Sequence, residues 1–147
     1  MERKEIDTTI LKRKAVFKDR NWILQLMNEK EIRQNSFNTE SISKKGNDNY
    51  WKKNLGRKGF EAYAIEKASV PVGLIRIIDG EVSIAITKKQ TRKGIAYGIL
   101  SKINLNNCFA EIKPTNTASI KLFKKLGFKV RWFKSGEKPK EVKKKNG

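Results

Sequence analysis

Residues 81–105 read EVSIAITKKQTRKGIAYGILSKINL, and the fold turns on this stretch. Apolar residues recur at Val82, Ile84 and Ile86, the period-two pattern of a strand. A basic, glycine-containing turn, KKQTRKG, follows, and from Ile95 the pattern predicts a helix ending near Leu105. A helix N-terminus reached through small residues offers unpaired backbone N–H groups and a positive dipole end, a setting suited to a pyrophosphate. Gly94 and Ala96 allow close approach, while Lys88, Lys89, Arg92 and Lys93 place mobile positive charge around the same point. The stretch is neither a Walker A loop, G-x-x-x-x-G-K-[ST], nor a G-x-G-x-x-G dinucleotide turn.

Upstream, FEAYAIE and PVGLIRII also run at period two. Turn signals at Lys67 to Pro71 and at Asp79-Gly80 separate these runs from each other and from EVSIAIT, predicting a three-strand antiparallel meander. Earlier still, Ile10 to Val16 suits a strand. Asp19 suits the cap of a helix bearing Trp22, Ile23, Leu26 and Met27, and Glu29 to Asn38 a short helix and loop. Ser43 suits the cap of a helix carrying Tyr50, Trp51 and Leu55 that Gly56 and Gly59 end. Downstream, CFAEIK reads as a strand. In PTNTASIKLFKKLGF, Asn116 or Thr115 is the N-cap, Ala118, Ile120, Leu122, Phe123 and Leu126 form an apolar stripe, and Gly127 stops the helix. Phe128 to Phe133 make a last strand. The order predicts one α+β (mixed α/β) domain over residues 9–133.

The chain has 147 residues, enough for one domain with a self-sufficient core. It contains no histidine and one cysteine, Cys108, which excludes a His-based triad, an imidazole base, a histidine zinc site and an internal disulfide. No metal is expected. Cys108 reads as a small buried residue, since no histidine or helix N-terminus activates it. The net charge of +19 favours anionic partners. From Lys113 onward there are twelve basic and two acidic residues, +10 of that total, and residues 134–147 read as a basic, disordered tail. With no signal-peptide core and no 20-residue apolar span, a cytoplasmic location and no membrane partner are expected.

The run ITKKQTRKGIA, followed about twenty residues later by AEIKPTNTASIKLFKKLGFKV, resembles the two signature segments of the GCN5-related N-acetyltransferases (GNAT). Thr91-x-x-Gly94-x-Ala96 matches the family's Gln/Arg-x-x-Gly-x-Gly/Ala motif except at its first position, with Gln90 one residue early. Asn116 to Phe128 matches N-x-x-S-x-x-x-F-x-x-x-G-F. The resemblance implies a mostly antiparallel twisted sheet, flanked by helices and splayed between its fourth and fifth strands, with acetyl-CoA as co-substrate in the splay. It further implies that Ile84, Ala85 and Ile86 present a backbone N–H to the thioester carbonyl. The amides of Thr91, Arg92, Lys93, Gly94, Ile95 and Ala96 would hold the pyrophosphate, and Asn116 and Ser119 would touch the pantetheine arm. Glu81 stands where the family often places the carboxylate that takes the ammonium proton. Ser83 shares its face of the strand. Phe123 replaces the tyrosine that many relatives use as an acid and reads as core.

The N-terminal half, ILQLMNEKEIRQNSFNTESIS followed by NYWKKNL, resembles acetyltransferases of nucleotide-linked amino sugars in pseudaminic- and legionaminic-acid type pathways. Asn28, Glu31, Arg33 and Ser36 keep that pattern, whereas Leu26 and Met27 replace its Trp-Arg and Asn47 stands where a histidine is usual. Asn28, Arg33, Ser36 and Asn47 are therefore the expected substrate-binding residues, and a small anionic nucleotide sugar the favoured acceptor. A polyamine acceptor is disfavoured, because a +19 chain repels it. The alternatives are acetylation of protein or peptide N-termini and a non-catalytic, basic nucleic-acid-binding role. Against the latter, Trp22, Phe123 and Phe128 fit apolar helix or strand faces rather than a stacking platform.

Overall fold

The computed structural model of the chain describes residues 9–130 and 141–144. Its strands are β1 (Ile10–Lys14), β2 (Phe60–Lys67), β3 (Val70–Ile78), β4 (Glu81–Ile86), β5 (Phe109–Glu111), β6 (Phe128–Val130) and β7 (Glu141–Lys144). Its helices are α1 (Arg20–Met27), α2 (Lys30–Asn35), α3 (Lys44–Asn54), α4 (Ile95–Leu100) and α5 (Thr117–Lys125), with 3₁₀ turns at Phe17–Asp19 and Lys88–Gln90. The strands form one sheet in the order β1-β2-β3-β4-β5-β7-β6. The four N-terminal strands pair antiparallel, β4 and β5 run parallel, and β7 pairs antiparallel with both β5 and β6.

The meander follows from its turns. Ala68 and Ser69 (φ 50° and 65°) and Asp79 and Gly80 (φ 49° and 88°) make two-residue turns with both central residues at positive φ. Their twist matches that of the flanking strands. Register then sorts side chains between two faces, so that Leu74 and Ile75, adjacent in sequence, are buried in different cores. The core under α1 and α3 contains Ile23, Leu26, Trp51, Phe60 and Leu74. The other, under α4 and α5, contains Ile75, Val82, Leu100, Leu105, Ile120 and Phe123. Because both faces are covered, β3 reads as a continuous apolar run rather than a clean alternation.

Local chemistry starts and stops the helices much as the sequence implies. The Ser43 hydroxyl accepts the Gly46 N–H (3.0 Å) and the Asn116 side chain accepts the Ser119 N–H (3.2 Å). Gly56 and Gly127 adopt φ 84° and 92° just after α3 and α5. Two expectations are corrected. Helix α4 stops at Leu100, not near Leu105: the Ser101 hydroxyl donates back to the Gly98 carbonyl and the chain turns so that Leu105 enters the core. Glu141–Lys144, inside the stretch read as a disordered tail, forms β7 between β5 and β6. Backbone pairing organises these residues, which apolar content does not reveal. The rest of 134–147, and residues 131–133 of the expected last strand, lie outside the described residues.

Asp19 occupies the N-cap of α1, yet its side chain bonds no amide of that helix. It accepts two bonds from the Arg13 guanidinium (2.8 and 2.9 Å), the Val16 N–H (2.7 Å) and the Trp22 indole N–H (2.8 Å), tying β1 to α1. Burial alone would raise its carboxyl. The Arg13, Val16 and Trp22 bonds outweigh that and hold it at about 2 against the usual 3.8. A carboxyl depressed in the folded state stabilises above its unfolded pKa, and the contribution disappears as pH falls from about 4 through 2. Asp19→Asn should therefore lower the unfolding free energy by about 2 kcal/mol at pH 7. In urea unfolding the gap from the parent protein should shrink by pH 2.5. A gap independent of pH would contradict this role.

Candidate active site

Strands β4 and β5 meet at one register pair, Glu81 with Phe109. Beyond it they diverge, and a cavity of about 740 Å³ opens between them. Its walls come from β4, the loop leading into α4, the N-terminal half of α5, and the segment from Glu31 to Asn38 that contains most of α2.

Along β4, the Thr87 N–H donates to the Val72 carbonyl (2.8 Å), while the Phe109 N–H reaches the Gly80 carbonyl (2.9 Å). Backbone groups alternate sides along a strand. Glu81, Ser83 and Ala85 thus turn their N–H and C=O toward β3, and Val82, Ile84 and Ile86 turn theirs toward the gap. Of the three residues expected to face a thioester carbonyl, Ile84 and Ile86 offer amides on that side. Ala85 does not, because its amide belongs to the β3 ladder.

The loop before α4 forms the second set of donors. Among the described residues, no hydrogen bond uses the N–H of Arg92, Lys93, Gly94, Ile95 or Ala96. Positive φ at Arg92 (62°) and Gly94 (76°) folds this loop. These orphan donors fit an anionic group such as a pyrophosphate. Thr91, Arg92, Gly94, Ile95 and Ala96 line the cavity. The side chain of Lys93 is exposed and outside the lining, so only its backbone remains a candidate. The Thr91 hydroxyl donates to the Lys88 carbonyl (2.8 Å), and Gln90, also in the lining, accepts from the Lys67 ammonium (3.1 Å). Asn116 and Ser119 line the opposite wall, where Asn116 is also the α5 cap.

The polar end of the cavity is built by register. Arg76 on β3 pairs with Ser83, and Ile78 with Glu81, so Arg76, Ser83 and Glu81 share the α1–α3 face. Glu111 enters the same space from β5. Burial pushes the Glu81 carboxyl above its ordinary 4.5, the Glu111 carboxylate pushes it further, and Arg76 opposes both. Such a carboxylate accepts a proton more readily than a solvated one.

The four residues expected to bind an acceptor divide. Arg33 and Ser36 line the cavity, but the Arg33 guanidinium ties the end of α1 to the loop after α2 by donating to the carbonyls of Met27 (2.6 Å), Asn38 (3.0 Å) and Glu40 (3.1 Å). Ser36 donates to the Ile32 carbonyl (2.6 Å). Asn28 and Asn47 lie outside the lining. The Asn28 amide clasps both backbone groups of Ile42, and buried Asn47 donates to the Arg20 carbonyl and accepts the Trp51 indole N–H. Their polarity closes the α1–α3 layer.

Phe123 is 2% exposed and packs edge-on against Phe128 at 4.9 Å, as core. Cys108 is half-buried against the same core. Sequence reading missed Arg76, Glu111, Tyr97 and Glu29. The first three line the cavity. Glu29 accepts the Thr87 hydroxyl (2.7 Å) and the Lys88 N–H (2.9 Å), bracing the start of the basic loop. Its signal was available only as an acidic residue between two short helices. Among the described residues, no group of three or more His, Cys, Asp or Glu side chains is placed to hold a metal.

The family model of the acetyltransferase (GNAT) domain matches residues 10–129. No curated protein matches the chain. Among solved structures, spermidine N-acetyltransferase from Vibrio cholerae in complex with CoA and spermine superposes with a TM-score of 0.73, at 19% identity over 91% of this chain and 92% of that one. The yncA protein of Salmonella typhimurium with acetyl-CoA gives 0.71, at 19% identity over 92% and 91%. An N-acetyltransferase from Staphylococcus aureus gives 0.71, at 20% identity over 92% and 96%. At such identities the likeness is one of fold.

Gly94 offers a direct check of the loop. A Cβ there meets nothing within 4 Å, so a side chain fits at a backbone cost of about 1–2 kcal/mol for its positive φ. Gly94→Glu should weaken coenzyme A binding by tenfold or more in calorimetry and leave the circular dichroism spectrum unchanged. Unchanged affinity would place the phosphate site elsewhere.

Proposed function

The chain belongs to the GNAT acetyltransferases, and on that premise we propose that it transfers an acetyl group from acetyl-CoA to the primary amine of a small acceptor that also carries negative charge, a nucleotide-linked amino sugar being the favoured class. The observation that carries the reading is Glu81, a carboxylate of raised proton affinity at the point where β4 and β5 part. Bound acetyl-CoA supplies an activated thioester.

The chain's own residues do the rest. An amine enters largely as ammonium and cannot attack until it loses a proton, which Glu81 takes when ionised. Ser83, on the same face, is a second polar contact for that nitrogen. The gap-facing amides of Ile84 and Ile86 suit the oxygen on which negative charge develops, and the amides of Arg92 to Ala96 hold the phosphates. Phe123 cannot donate a proton. None is essential, because a thiol of pKa about 8.5 leaves readily as thiolate. The acceptor class draws support from the sequence pattern of the N-terminal half and from the +19 charge, which attracts anions and repels polycations.

A polyamine is the second reading. The Vibrio cholerae relative was solved with spermine, and three carboxylates, Glu31, Glu81 and Glu111, line the cavity here.

Thiol release from acetyl-CoA should be faster with a UDP-linked 4-amino sugar than with spermidine. The reverse order would overturn the acceptor class. Glu81→Gln should lower kcat by about 10²- to 10³-fold. Glu81 works only when ionised, and burial with Glu111 raises its pKa, so kcat/KM should fall on the acid side at a pH above 4.5. A glutamine variant that kept both rate and acid limb would remove Glu81 as the base.

A further inference from the structure

Arg76 differs from the other described arginines of the half-buried interior. Arg13 and Arg20 pair with carboxylates, Asp19 and Asp48 respectively. Arg33 is engaged by three backbone carbonyls. Arg76 is half-buried in the cavity wall and donates one hydrogen bond, to the neutral Tyr50 hydroxyl (3.1 Å), with its guanidinium 5.7 Å from that ring. No described carboxylate forms an ion pair with it. Most of its five donors are unused by the described residues.

The surroundings make this arrangement costly without a partner. Arg33 lies close enough that the charge of Arg76, after burial, weakens its hold on its own proton. Two cations on one wall repel, and an anion beside Arg76 relieves that repulsion. Glu81 forms no ion pair with Arg76, and burial and Glu111 outweigh the arginine at the Glu81 carboxyl. Tyr50 stacks edge-on against Trp51 and Phe60, which fixes the phenol that orients the guanidinium.

We propose that Arg76 forms an anion subsite that anchors a phosphate or carboxylate of the acceptor while the amine of the same molecule lies at Glu81. This inference rests on the acetyl-transfer reading above and adds the specificity determinant. Arg76 faces Ser83 across the ladder, two residues from Glu81. Their backbone positions are thus about 7 Å apart along the strand. Both side chains line one cavity from positions this close, so a single small acceptor can reach the two. A guanidinium binds a phosphate or carboxylate through paired, charge-assisted hydrogen bonds. A polyamine offers nothing to Arg76 and is repelled by it.

Matched pairs test the subsite: galactosamine 1-phosphate against galactosamine for phosphate, and lysine against cadaverine for carboxylate. In the native protein the member bearing the phosphate or carboxylate in at least one pair should have a kcat/KM about tenfold or more above its partner, carried by KM. Whichever pair shows it identifies the anion. In Arg76→Ala that ratio should collapse toward one, and in Arg76→Lys it should fall only partly, with folding of both variants checked by circular dichroism. A native preference for the members without phosphate or carboxylate, or a ratio untouched in Arg76→Ala, overturns the proposal. If acetyl-CoA binds but no amine is turned over, the acetyl-transfer reading has failed and the subsite is judged by equilibrium binding of galactosamine 1-phosphate to the coenzyme-loaded protein. Binding at least tenfold weaker in Arg76→Ala than in the native protein supports it, and equal or absent binding overturns it.

Discussion

The parting of β4 from β5 is the constraint on which the rest of the molecule depends. Two parallel strands joined at a single pair, Glu81 with Phe109, cannot satisfy each other's backbone groups beyond that point. The amides of Ile84 and Ile86 are left facing a gap, and the gap is held open because each strand is fixed on its far side. Strand β4 is locked to β3 over six register pairs, and β5 to β7 over three. Helices α4 and α5 cover the face beneath, so the opening becomes a walled cavity. Glu81 sits at its apex for the same topological reason, and its raised proton affinity follows from burial beside Glu111.

Much of this was legible in the sequence where the physics is local. Turn chemistry at Ala68-Ser69 and Asp79-Gly80, the Ser43 and Asn116 caps, and the glycine stops at Gly56 and Gly127 depend on neighbouring residues alone. The splay was anticipated only through family resemblance, and residues that meet across strands were not found. Arg76 and Glu111 reach Glu81 through sheet register, which no window of sequence contains. Asn28 and Asn47 mislead for the converse reason: a polar side chain is ambiguous until its distant partner is known. Those partners are the backbones of Ile42 and Arg20. Strand β7 was missed because pairing, rather than apolar content, organises Glu141–Lys144.

Charge acts at two scales. The net +19 draws anions to the molecule, but the orphan amides of Arg92 to Ala96 give the field a specific target. Histidine is absent, and the proposed chemistry needs none. A carboxylate accepts the proton, backbone amides meet the developing charge, and a thiolate leaves unaided. Glu29 links the two halves of the site. It joins the start of the α2 segment to the Thr87–Lys88 turn, so that wall of the cavity and the basic loop before α4 share one support.

Amide hydrogen exchange, followed residue by residue with and without acetyl-CoA, tests the central claim most directly. Protection on binding should concentrate at Ile84, Ile86 and the amides of Arg92 to Ala96, with Ala85, already in the β3 ladder, little changed. Protection that falls elsewhere in the sheet, or none at saturating coenzyme, would contradict a coenzyme site in the opening between β4 and β5.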